Sequence, residues 1–117
     1  IIDAGLADLV ECDHRLGSCI QLVPTPGHSP GHVSVLIESN GDKALITGDA
    51  SHHPIQWAEI DQVMMADYDS AQAAVSRHFL IENFADSTLV IGTHYPAPVA
   101  GHLEAMEEGA KFVAQQA

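Results

Sequence analysis

Three times in this chain a short apolar run is followed, within a few residues, by a glycine and then by a side chain able to hold a metal or move a proton. The run ending at Val23 leads into Pro24-Thr25-Pro26-Gly27-His28, Leu45-Ile46 leads into Thr47-Gly48-Asp49, and Leu89-Val90-Ile91 leads into Gly92-Thr93-His94. Apolar runs of this length bounded by turn residues read as strands. Loops at strand ends gather on one rim of a sheet, where chemistry is favoured. One such device is as easily turn chemistry, since glycine, proline and aspartate all serve turns and caps. Three of them put two imidazoles and a carboxylate on one rim, a donor set that zinc, iron or manganese accepts.

The rest of the chain supplies a sheet and helices to carry those tips. Residues 8–13 read as a strand leading to a turn at residues 15–17, and residues 19–25 as a strand stopped by Pro24 and Pro26. Residues 33–39 are apolar and β-branched, and Asn40-Gly41 after them is a hairpin turn signal, with residues 43–47 returning. Residues 51–60 have no clean period and read as an irregular loop. Asp67 or Asp69 caps a helix reaching Phe84, with Ala71, Ala74, Val75 and His78 at three- and four-residue spacing. Residues 88–91 read as a strand buried on both faces, residues 92–101 as a loop, and residues 102–114 as a closing helix with Leu103, Met106, Ala110 and Val113 on one side. The expected class is α/β: one sheet with helices packed on it.

Composition narrows the function. A length of 117 residues suits a single domain, residues 1–117, and 46% hydrophobic residues suffice for a core. Four Lys and Arg within a net charge of −12 leave no basic patch for nucleic acid or an anionic membrane surface. No apolar run approaches the ~20 residues of a spanning helix, and Ile1-Ile2-Asp3-Ala4-Gly5 lacks the start of a signal peptide. Cys12 and Cys19 are too few for a disulfide framework and read as buried or half-buried thiols, which leaves the compartment open with a lean to a reducing, cytoplasmic one. Eight histidines outnumber all the Lys and Arg together, which is unusual in so acidic a chain. His14, His78 and His102 read as structural or surface residues, and Trp57 with Met64-Met65 as loop and core packing.

From about residue 8 onward, TPGHSPGH at residues 25–32, TGD at residues 47–49 and GTHYPAPVAGH at residues 92–102 together resemble the second half of the metallo-β-lactamase fold hydrolases. Asp49-Ala50-Ser51-His52-His53-Pro54 and His94-Tyr95-Pro96-Ala97-Pro98 resemble its lactonase and organophosphate-hydrolase branch. The resemblance implies half of an αββα sandwich and a metal-dependent hydrolase, with two zinc ions in the complete enzyme, that cleaves a small ester, lactone or phosphotriester. It makes His28 a ligand of the first metal, Asp49 the carboxylate that bridges both and on which catalysis centres, and His94 a ligand of the second. His32 would buttress the loop, and His52 would line the substrate pocket.

The family's His-x-His-x-Asp-His motif does not occur in this sequence. Half of the two-metal ligand set is therefore missing, and the chain is expected to be the C-terminal half of a longer hydrolase, with weak metal binding and little hydrolysis by itself. The expected partners are a small-molecule substrate and either a second copy of the chain or the missing N-terminal half, since a bare sheet face invites association. Two other classes stay open: a non-catalytic interaction module that keeps the fold, and a small metal-binding protein using His14, His52 or His53.

Overall fold

The computed structural model describes residues 1–116. Among these, seven strands form one sheet in chain order: β1 (Arg15–Leu16), β2 (Ile20–Pro24), β3 (Val33–Ser39), β4 (Asp42–Ile46), β5 (Leu89–Ile91), β6 (Ala100–Ala105) and β7 (Ala110–Ala114). Neighbours run antiparallel except β4 and β5, which are parallel. The crossover between those two carries a single-turn helix, α1 (Ile55–Ala58), and a 15-residue helix, α2 (Ser70–Phe84). The α/β class is as expected. The β3–β4 hairpin turns at Asn40 and Gly41, with φ of 53° and 91°; two successive positive φ values give the turn whose twist matches that of the strands.

This topology decides where the site lies. Strands β2, β4 and β5 point the same way, so their C-terminal ends share one edge, where the antiparallel β3 begins. His28, Asp49 and His94 follow those three strands, and His32 immediately precedes β3. The strand-tip expectation thus has a geometric cause.

The two faces of the sheet differ. Val23, Leu36, Leu45, Val90 and Leu103 point to the face covered by α1 and α2, where Trp57, Leu80, Ile81 and Phe84 complete the core. On the opposite face Ile20 and Leu22 pair with Ile37 and Val35, and Val35 in turn pairs with Ile46 and that with Ile91. These side chains form an apolar layer, each only half-buried. Strand β5 is accordingly buried on one face and half-covered on the other, not enclosed on both.

Helix α2 begins where expected: Asp69 is the cap, its Oδ1 accepting from the Gln72 amide at 2.9 Å. Elsewhere the structure corrects the sequence reading. The closing segment is a hairpin, not a helix: Leu103 pairs with Phe112 and His102 with Val113. The spacing of Leu103, Met106, Ala110 and Val113 mimics a helix, but Gly109 (φ 79°) makes a turn. Gly101 lies so close to β7 that a Cβ there would strike the Val113 carbonyl. Residues 8–13 form no strand and lie exposed; pairing starts only at Arg15–Leu16, in the expected turn. The loop at 51–60 contains one helical turn. Cys12 and Cys19 are unpaired as expected but exposed, and Met65 is fully exposed while Trp57 is fully buried. No helix among the described residues is long and apolar enough to cross a membrane.

Candidate functional site

The loop between β2 and β3 is held rigid from within. Gly27 (φ 140°) passes so close to α2 that a Cβ would collide with the main chain of Ala73, so the loop lies directly on the helix. His32 folds back beneath it. Its Nε2 accepts from the Asp49 amide at 2.8 Å, which requires that nitrogen to be unprotonated, so Nδ1 carries the proton and donates to the Thr25 carbonyl at 3.0 Å. Thr25 and Ser34 extend the network to the Thr47 carbonyl. Burial holds the His32 pKa below its ordinary value, outweighing the Thr25 carbonyl and the Asp49 charge, which act the other way. Gly48 (φ 57°) leaves room for this contact, because a Cβ there would sit 2.7 Å from the His32 Nε2. His32 thus joins the first loop to the second.

Asp49 lies in a short 3-10 turn, Gly48–Ala50, beyond β4. Its two oxygens face two imidazoles: Oδ1 is 2.7 Å from His94 Nε2, and Oδ2 is 3.4 Å from His28 Nε2. Partial burial works to raise the Asp49 pKa. The hydrogen bond to His94 and the charges of His28, His94 and His52 outweigh it, and the carboxyl is held below its usual range. The structure therefore brings together the three strand-tip residues singled out in the sequence.

His52 joins them. Its ring centroid is 5.1 Å from those of both His28 and His94, stacked on His94 at 12° between planes. Gln56, a buried residue of α1, fixes the loop by accepting from the His52 amide at 2.7 Å. Burial, together with the neighbouring charges of His28 and His94, keeps the His52 pKa below its ordinary value although Asp49 pulls it up. Donor atoms of His28, Asp49 and His52 all lie within 4.8 Å of one another, close enough for a single cation to gather them with small rotations.

Asp67 was visible in the sequence only as a helix-cap candidate. Because Asp69 takes the cap, Asp67 is free to turn inward, where its side chain is 1% exposed and its Oδ1 lies 3.2 Å from His28 Nδ1. Its Oδ2 is buried without a partner. This is the carboxylate–histidine arrangement that orients metal-binding imidazoles. The 39-residue separation left no sequence signal for it.

Behind the site, Ser51 Oγ meets the Tyr95 hydroxyl at 2.8 Å, and that hydroxyl also accepts from Trp57 Nε1. Ser51 precedes His52 and Tyr95 follows His94, so this buried network ties together the two loops that carry the stacked rings. Burial pushes the Tyr95 pKa up to about 12.

Residues 2–77 match the family model of the metallo-beta-lactamase superfamily. The chain belongs to that superfamily. An N-acyl homoserine lactonase of Bacillus cereus is 36% identical over 104 residues, covering 88% of this chain and 38% of that protein. The chain thus spans about two-fifths of the length of this curated relative. Among solved structures, AidC, a dizinc quorum-quenching lactonase, superposes with a TM-score of 0.82 at 24% identity, over 92% of this chain and 37% of that one. That likeness shows the fold. An N-acyl homoserine lactone hydrolase with its product at the catalytic metal centre is 37% identical with a TM-score of 0.55, over 64% of this chain and 30% of that one.

Proposed function

We propose that the chain supplies the His28–Asp49–His94 part of the centre of a zinc-dependent hydrolase that opens small lactones or related esters. The observation that carries this is Asp49, whose two oxygens face two imidazole nitrogens brought in by different strand tips. Two imidazoles and a carboxylate are a donor set suited to zinc, and Asp67 leaves the Nε2 of His28 directed at Asp49. In a two-zinc arrangement His28 and His94 would hold different ions, with Asp49 between them. Zinc at such a site supplies an acidified water and a Lewis acid for the carbonyl oxygen. The chain's own residues do the positioning: His32 fixes the Asp49 main chain, Asp67 orients His28, and His52 faces the space shared with His28 and His94. Lactones are the favoured substrate class because similar proteins are named N-acyl homoserine lactonases.

Equilibrium dialysis of the untagged chain against zinc tests this. Asp49→Ala is expected to abolish uptake, and unchanged uptake in that variant overturns the proposal. Without a His-x-His-x-Asp-His motif in the sequence, the 117 residues alone are proposed to open N-acyl homoserine lactones poorly or not at all. Sustained lactone opening in a pH-stat would refute that part.

The half-covered apolar layer of Ile20, Leu22, Val35, Ile37, Ile46 and Ile91 supports association through that face, with a second copy of the chain or with a further sheet of the same kind of domain.

A further inference from the structure

We propose that His52 is itself a metal ligand in this chain, so that His28, Asp49 and His52 form a three-donor site for one first-row divalent cation. The proposal builds on the metal-centre reading above but differs from it in the residue it names. Three observations carry it.

The first is geometry. A tetrahedral cation with bonds of about 2.0–2.2 Å needs its ligand atoms roughly 3.3–3.6 Å apart. His28 Nε2 and Asp49 Oδ2 already stand at 3.4 Å. No pair in the trio with His52 exceeds 4.8 Å, so closure requires an approach of about 1.4 Å or less, within the reach of a side-chain rotation.

The second is availability. The imidazole of His52 makes no hydrogen bond among the described residues and is held only by ring contacts with His28 and His94. Both its nitrogens are available.

The third is support. The main chain of His52 is fixed by Gln56, Ser51 is anchored to buried Tyr95, and His28 is oriented by Asp67. Two ligands of the trio thus have their positions set by buried groups, as durable metal sites require.

Cobalt(II) is the probe, because tetrahedral coordination gives it intense visible absorption. The untagged chain, His52→Ala and His52→Gln are titrated with cobalt(II), with circular dichroism confirming that each is folded. The expected result is that both His52 variants bind about tenfold or more weakly and lose the visible band. Long-range proton–nitrogen correlation spectra of the cadmium-loaded chain should show a coordination shift on a His52 ring nitrogen. Wild-type binding with undiminished affinity and absorption in the His52 variants overturns the proposal and leaves the metal-centre reading standing. A folded wild-type chain that takes up no cobalt or zinc overturns both.

Discussion

Removing one oxygen atom tests whether the buried network behind the site is as important as its geometry implies. Tyr95→Phe leaves the ring against Phe112, 5.3 Å between centroids, and deletes only the hydroxyl. Ser51 still has the His53 carbonyl at 3.2 Å, but the indole N–H of Trp57, a residue with no exposed surface, loses its acceptor. An orphaned buried donor costs about 1–3 kcal/mol. With an unfolding entropy near 2.1 cal/mol/K per residue, a chain of this size has roughly 0.25 kcal/mol/K in all, so Tm should fall by about 4–12 °C. Calorimetry measures this directly, and urea denaturation should show a lower midpoint at unchanged slope. There is a second signature. A phenol titrating near 10 when unfolded and at about 12 when folded leaves the unfolded chain with fewer protons between those values. Stability contributed by the neutral phenol is therefore complete below pH 10 and lost as pH rises from 10 towards 12; this alkaline loss should be weaker in the Phe variant. A Tm within 1 °C of wild type would refute the reasoning, because it would mean that Trp57 has another acceptor.

Asp67→Ala removes the acceptor that orients His28 and should weaken zinc binding about 10–100-fold by isothermal titration, while Asp67→Asn, which keeps an acceptor oxygen, should lose less. His32 and His52 both lie below 6.5 in the folded chain, so below that pH the unfolded state takes up protons first; metal-free stability should be complete above pH 6.5 and fall beneath it, with a shallower urea-midpoint profile in His32→Gln. Ala at Asp69 removes the cap of α2 and should cost about 1 kcal/mol in urea melts. Val35→Lys, in the middle of the half-covered face, should reduce concentration-dependent association in sedimentation velocity; equal association in the two proteins would place the contact elsewhere.

What the sequence disclosed depended on how local the determining physics is. Strands β3 and β4 were legible because Asn40-Gly41 sets their turn and the residues before it are apolar and β-branched. Helix α2 was legible from its aspartate cap, but the spacing of Ala71, Ala74, Val75 and His78 did not mark its packed side: only Ala74 of these is buried, and the covered face carries Ala73, Arg77, Leu80, Ile81 and Phe84. The closing segment misled because Leu103, Met106, Ala110 and Val113 satisfy a helical period by coincidence. The deciding facts, a turn at Gly109 and the close approach of Gly101 to its partner strand, are visible only after pairing. His28, Asp49 and His94 could be picked out because each ends its own apolar run and three parallel strands deliver them to one edge. Asp67 could not, since its part in the site depends on a contact across 39 residues and on Asp69 taking the cap instead. His52 was placed near the site, while its stacking on His94 follows from how two loops are tied together at Ser51 and Tyr95.

Arg77 of α2 is 1% exposed and donates to the main-chain carbonyls of Ile60 at 2.7 Å and 3.0 Å, of Ala50 at 3.3 Å and of Gln62 at 3.4 Å. Every amino acid brings a carbonyl, so the grip is indifferent to which side chains the segment from 50 to 62 displays. The exposed residues of this stretch, among them His53, Ile55 and Glu59, can be exchanged for bulkier, smaller or more polar ones while the fastening behind them persists. Libraries randomised at His53, Ile55 and Glu59 should therefore yield mostly folded members.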